Sequence, residues 1–385
     1  MKVGTQTLKE QDKKLTIISL FDWETGNVTG MKRFVYEVLE PFEYPISYRK
    51  IIVSERGGRR LNPFLRIVFN QFLYIPFQLL FIYRIRNATG PILITSQHLI
   101  HQIWYLSKSP KCVIIYDLID LSEYSRYSNP MQKWLLRFLY KKVKKADQII
   151  TISDYSKSEI INKLQINPKK INVVYPCINN KRFKPIKVES RDKLRSKLGF
   201  SSNNFIILNV GSDQPRKNIE TILKALALLK ERVNDFIFVK VGESQWPGSR
   251  DRLLTMVRDL GLSHHVKFID YVDENQLPEF YNISDVFVMP SLYEGFGIPL
   301  LEAMACGIPI VTTKLTSIPE IVADIALSIN YPMDPNELAS AIYQVISDSS
   351  LSMDLAAGSL EQVQKFNPKC ERQIFWECIN KVIHQ

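Results

Sequence analysis

The stretch "SLYEGFGIPLLEAMACGIPIVTT", Ser291–Thr313, follows the apolar run Asp285–Met289 and sets Glu294 and Glu302 on either side of a Gly-Phe-Gly turn. Asp285–Met289 reads as a strand, Pro290–Ile298 as a loop, Pro299–Ala305 as a helix and Pro309–Thr312 as the next strand. Pro299 suits the opening helical position, where the N–H it lacks would have no partner, and Gly307 suits the helix exit. A strand–loop–helix–strand unit of this kind builds a parallel α/β sheet and puts its loop at the C-terminal sheet edge, where ligands bind. Gly295 and Gly297 leave the backbone bare. The amides within Phe296–Leu301, Pro299 having none, can then face an anion, assisted by the helix dipole.

The turn is neither of two common phosphate motifs. "GFGIPL" has Leu300 where a dinucleotide fingerprint has its third glycine, and no GK[ST] is present. Glu302 pointing at a phosphate would be repelled; pointing sideways, it can accept two hydroxyl hydrogen bonds, as from a ribose diol. Glu294 lies before the turn, at the other end of the same ligand. A phosphate cradle between two polyol-binding carboxylates describes a nucleotide sugar. Each glutamate alone has a plainer reading: Glu302 as a complement to the helix dipole, Glu294 as a turn residue.

The same alternation runs through the 385 residues. Leu15–Phe21, Ile46–Val53, Ile92–Thr95, Cys112–Tyr116, Gln148–Ile152 and a run within Lys170–Asn179 read as first-half strands. Lys181–Asn204 is polar and reads as strand-free, so a boundary falls near it. The pattern restarts with strands Phe205–Val210, Phe236–Val241 and Val266–Ile269. Asn218 and Ser249 stand as helix caps, and helices follow over Glu274–Tyr281 and Glu337–Ile346. The expectation is α/β: two Rossmann-like doubly wound domains, 1–186 and 187–369, facing a central cleft, with a helix near 370–385 packing back on the first.

Composition is that of a globular chain, 45% hydrophobic and 23% charged. The N-terminal "LTIISLF" reads as a first strand, not a signal peptide. Five scattered cysteines without CxxC or zinc spacing read as reduced thiols in a cytoplasmic setting. Residues 1–187 carry 31 Lys+Arg against 14 Asp+Glu, a net +17, whereas 188–385 carry 19 against 25. The basic half is either a solvated surface or a surface that meets an anion such as a phospholipid leaflet. No aromatic-interleaved nucleic-acid module accompanies it, so no nucleic-acid partner is expected. Within Arg66–Arg86 the 17 residues between Arg66 and Arg84 carry no charge, but Pro76 interrupts them. The segment reads as a buried helix pair or, beside the Arg56–Arg60 cluster, as a helix in a membrane interface.

The quoted turn "EGFGIPLLEA" resembles the E-x7-E motif of glycosyltransferase family 4, mannosyl- and glucosyltransferase-like retaining enzymes with the two-domain GT-B fold. "ADQIITISDYSKSEI" (Ala146–Ile160), "VVYPCIN" and "VGSDQPRKNIETILKAL" (Val210–Leu226) resemble further family segments in the family's order, over nearly the whole chain. The resemblance implies Glu294 by the donor sugar, Glu302 on the ribose, and Arg216 and Lys217 on the diphosphate after the Gly211 turn. The residues fit that role, since a guanidinium and an ammonium there can neutralise a leaving diphosphate; solvated loop cations are the alternative. The family often has arginine directly after the glycine, where this chain has Ser212. The Gly26–Gly30 loop resembles the one approaching the phosphates from the first domain, with Gly30 at the donor. Where the family often has His-Asp, "VIIYDLIDL" supplies Tyr116 and Asp117, with His98 and His101 as helpers. A satisfied polar residue at a sheet edge is the other reading of each.

No Asp-x-Asp pair and no histidine–carboxylate metal spacing occurs, which suits the metal-independent chemistry the resemblance implies. The expected function is a retaining hexosyltransferase of glycan biosynthesis. It would take a nucleotide-diphosphate sugar as co-substrate, use no cofactor, and act on a glycan or lipid-linked acceptor. It would be cytoplasmic, or peripheral at the inner face of the membrane. Two alternatives keep the fold: transfer to a soluble sugar or phosphate ester, and nucleotide binding without turnover.

Overall fold

The computed structural model describes residues 15–19, 30–39, 48–52, 90–106, 109–125, 130–244 and 246–384. The Arg56–Arg60 cluster, Arg66–Arg86 and residues 26–29 lie outside them.

Two six-stranded parallel sheets form the framework. The first contains β1 (Leu15–Ser19), β2 (Tyr48–Ile52), β3 (Ile92–Ile94), β4 (Lys111–Ile114), β5 (Gln148–Thr151) and β6 (Ile171–Val173), in the order β2-β1-β3-β4-β5-β6. Its helices are α1 (Gly30–Leu39), α2 (Pro130–Tyr140) and α3 (Asp154–Leu164). A further helix, α4 (Val188–Lys197), occupies the polar segment read as strand-free. The second sheet contains β7 (Phe205–Val210), β8 (Phe236–Val241), β9 (Val266–Ile269), β10 (Val286–Met289), β11 (Ile310–Thr313) and β12 (Leu327–Ile329). Their order is β12-β11-β10-β7-β8-β9. Its helices are α5 (Ile219–Leu229), α6 (Ser249–Asp259), α7 (Leu277–Ile283), α8 (Ile298–Ala305), α9 (Ile318–Val322), α10 (Pro335–Ser347) and α11 (Ser349–Gln362). The last helix, α12 (Pro368–Ile383), returns to pack on α1, β4 and β5 of the first sheet.

Central strands of such sheets are covered on both faces and so read as continuous apolar runs. Ile17, Leu93, Ile114 and Ile150 on the first sheet, and Ile207, Leu208, Phe238 and Phe287 on the second, are fully buried. One apolar cluster joins inner faces of both sheets with Phe375, Trp376, Ile379 and Val382 of α12. Two further clusters cover the remaining faces. Strand order reverses between β7 and β10, so the loops after them diverge and leave a crevice at their C-terminal ends. Both loops face the first domain there. Among the described residues no helix is long and apolar enough to cross a membrane.

Two helix starts differ from expectation. Asn218 precedes α5 in the left-handed region, with φ 58°, and makes no side-chain cap. Its amide donates instead to Pro290 O (3.1 Å) and Pro332 O (2.6 Å), tying the loop after β7 to the loops after β10 and β12. The cap of α6 is Gly248, and Ser249 is the first helical residue, its hydroxyl bonded to Asp213 O.

Candidate active site

Glu294 is buried in the loop between β10 and α8. Its Oε1 accepts from Lys217 Nζ at 2.6 Å and its Oε2 from Arg216 Nη1 at 2.9 Å. Arg216 also donates to Tyr293 O and to Gln214 Oε1, both at 2.9 Å, so its guanidinium is fixed in direction. Burial would raise the Glu294 pKa, but Lys217 and Arg216 outweigh it and hold the carboxyl at about 2. Burial pulls Lys217 below the usual lysine value, against the attraction of Glu294. Two cations against one carboxylate leave a positive excess beside the start of α8, whose first amides have no intrahelical acceptor.

Beneath this loop, Gly211 and Gly242 sit back to back at the ends of β7 and β8. Gly242 has φ 129°, and a Cβ there would stand 2.0 Å from Gly211 O. Lys240, fully buried, donates to that same carbonyl and lies 3.3 Å from Asp213, which Arg250 also holds. Gly297, φ 125°, makes the turn into α8 that no side chain would favour. Phe296 and Leu301 are buried in the core, so only their backbone can meet a ligand, while Ile298 is partly buried at the helix start.

Glu302 lies one turn into α8 and faces the first domain. Arg33 Nη1 of α1 donates to its Oε1 at 2.6 Å, and Tyr281 OH to its Oε2 at 2.6 Å. Burial works against the Arg33 charge, but Glu302 and then Glu37 raise its pKa. The carboxylate expected to meet a ribose diol thus has one bond on each oxygen, and its remaining lone pairs are what a ligand can use. Arg33 and Tyr281 were absent from the sequence reading. Arg33 stands three residues after Gly30, at the start of α1, and that proximity was the available signal.

The first domain closes on the turn. Ser153 Oγ and Ser156 Oγ donate to Gly295 O at 2.7 and 3.3 Å. Glu320 of α9 accepts from the amides of Asp154 (2.8 Å) and Tyr155 (3.1 Å) at the start of α3. Tyr293 OH bonds Glu159 at 2.5 Å. Asp117 abuts Gly295, where an added Cβ would stand 2.8 Å from Asp117 Cβ. Burial raises the Asp117 pKa, opposed by the Ile119 amide and Arg216.

Tyr116 does not reach this space. Its hydroxyl donates to Thr95 O at 2.9 Å inside the first domain, and its ring packs edge-on against Phe34. Placed in a part of the sheet that buries its side chain, it belongs to the core, which corrects the expectation of a catalytic role. His98 is half exposed with Nδ1 3.9 Å from Asp120 Oδ2. The side chain of His101 lies outside the described residues. The structure therefore joins Glu294 to Arg216 and Lys217, sets Asp117 against Gly295, holds Glu302 on Arg33 and Tyr281, and buries Tyr116 inside the first domain.

Both halves match known family models. Residues 36–182 match the one described as Glycosyltransferase Family 4, and residues 190–361 the one described as Glycosyl transferases group 1. The chain belongs to the group 1, family 4-like glycosyltransferases. O-antigen chain mannosyltransferase B of Escherichia coli is 30% identical over 237 residues, 61% of each chain. A D-inositol 3-phosphate glycosyltransferase of Streptomyces bingchenggensis is 30% identical over 57% of this chain and 50% of that protein. Each match thus spans less than two thirds of the relative's own length. Sucrose-phosphate synthase from Thermosynechococcus elongatus superposes with a TM-score of 0.77 over 96% of this chain and 99% of its own, at 20% identity. Anabaena HepE in complex with UDP-glucose gives 0.77 over 95% and 99%, at 19% identity. Those two likenesses establish the GT-B fold of this glycosyltransferase-family chain: two parallel-sheet α/β domains that face one another.

Proposed function

We propose that the protein transfers a hexose from a nucleotide-diphosphate sugar to a glycan acceptor, lipid-linked in its native setting, with retention of configuration and without a metal. The carrying observation is the ionised Glu294 held between Arg216 and Lys217 at the start of α8. Family membership and UDP-glucose bound to the HepE neighbour support the donor class.

In this reading the diphosphate lies against the α8 amides and draws Arg216 and Lys217 onto its oxygens. The bond from the sugar C1 to the diphosphate oxygen breaks, and the cations take up the charge that develops there. The acceptor hydroxyl bonds to C1 on the same face, and its proton passes to the departing phosphate oxygen. Glu294 orients the sugar hydroxyls, Glu302 those of the ribose, and Asp117 lines the acceptor side. Binding to the native state alone raises apparent stability by mass action. One UDP-, GDP- or ADP-sugar should therefore raise the Tm, and the product formed from it should keep the donor's anomeric configuration by NMR. No shift across the panel, or an inverted product, defeats the reading.

A further inference from the structure

Away from the crevice carboxylates, α2 and the turn after it form a surface of different chemistry. "PMQKWLLRFLYKKVKK", Pro130–Lys145, holds Lys133, Arg137, Lys141, Lys142, Lys144 and Lys145 and no Asp or Glu. One side of this segment is anchored, since Tyr140 and Val143 are buried in the outer core of the first sheet and Leu136 packs against it. The other side is apolar as well. Met131, Trp134, Leu135 and Phe138 recur at helical spacing, three to four apart, and are 72%, 66%, 49% and 41% exposed. Trp134 and Phe138 stack with centroids 6.0 Å apart, and Lys142 Nζ stands 4.0 Å from the Phe138 ring. Lys141, Lys144 and Lys145 are exposed beside that stripe.

A water-facing helix normally turns charge outward, so Trp134 and Leu135 exposed on a segment whose own charges are all cationic call for a counterpart. The counterpart must be apolar within and negative at its rim. An anionic leaflet has both properties, and interfacial helices carry this combination of Trp, Phe and Leu with Lys and Arg. The surface also lies near the crevice. Lys133 Nζ bonds Ser122 O at 3.2 Å, and the Tyr124 ring two residues on lies 6.3 Å from Tyr293, the neighbour of Glu294.

We infer that α2 and the Lys141–Lys145 turn dock on an anionic bilayer leaflet. Trp134, Leu135 and Phe138 enter the acyl boundary, and the lysines meet lipid phosphates. This contact stands apart from the transferase reading and holds with or without turnover.

The test uses the full chain with vesicles of phosphatidylcholine alone or mixed with phosphatidylglycerol, at low and high salt. The protein should co-sediment with the anionic vesicles at low salt and be released at high salt. Trp134→Ser/Leu135→Ser and Lys141→Glu/Lys144→Glu should each weaken binding at least tenfold while keeping the wild-type Tm. Tryptophan emission should shift to the blue on anionic vesicles, and Trp134→Phe should remove most of that shift. Failure to bind, binding unchanged in both double variants, or a blue shift that survives Trp134→Phe overturns the inference. So does self-association on size exclusion that the serine pair abolishes without any vesicle binding, because a second copy would then be what covers the stripe.

Discussion

Glu294 keeps its charge in a position almost closed to water because two cations face its two oxygens. Its pKa is held at about 2 against an ordinary 4.5, so the stabilisation is fully present above pH 4.5 and is lost as pH falls through 2. Glu294→Gln should cost on the order of 3 kcal/mol near neutrality, with the gap to wild type closing toward pH 2. Urea unfolding across that range measures it, and a gap independent of pH would contradict the ion-pair account. The same variant should lose most turnover. At this scale the sequence was only partly readable. The E-x7-E spacing singled out both glutamates, and the cluster after Gly211 singled out Arg216 and Lys217. Tyr116 misled because the resemblance marks a position along the chain, not where the side chain at that position points; here the ring is buried and its hydroxyl bonds Thr95 O. Arg33 was missed because its partner Glu302 lies 269 residues away, a separation no local pattern registers.

The helix termini show how loops of one domain serve the other. α3 begins with Ser153 as its own cap, and Glu320 from α9 accepts from its first two amides. A carboxylate at a helix N-terminus contributes about 1 kcal/mol. Glu320→Ala should therefore lower the Tm by roughly 2–4 °C and raise the KM for donor, because the cleft opens more readily. An unchanged Tm and KM would show that contact to be idle. β7 and β8 lie where expected because burial imposes long apolar runs there, and the half-exposed edge strand β9 lies where expected as well. β12 was overlooked as a three-residue strand. α4 was overlooked because its sequence, VESRDKLRSK, has hardly any apolar face; Arg195 anchors it by bonding Ile283 O and Asp285. The cap at Asn218 failed because the residue lies in the left-handed region and its Oδ1, the atom that would cap, accepts from the Thr221 hydroxyl instead, while its amide donates to two other loops.

For the whole molecule, the distance between the two sheets is fixed by contacts that depend on small residues. Gly295 lets Asp117 approach, and a methyl group there would meet it at 2.8 Å. Gly295→Ala should hold the domains apart, enlarge the radius of gyration in small-angle scattering and reduce kcat/KM at least tenfold. Asp117→Gly in the same chain should restore the compact profile. Scattering identical to wild type in Gly295→Ala would exclude this as the point of closure. The two-domain plan itself was legible, since two runs of alternating strands and helices separated by a polar stretch leave few other arrangements. A helix near 370–385 packing on the first domain was expected from the sequence, and α12 returns to pack on α1, β4 and β5. That return carries a consequence for the order in which the protein is made. A ribosome releases the first sheet long before Phe375, Trp376, Ile379 and Val382, which complete the cluster on its inner face. The N-terminal domain must wait, one side uncovered, while the whole second domain is synthesised. Closing a loop of that length is slow, so the domain that begins first finishes last, and its nascent form is a natural client for a chaperone.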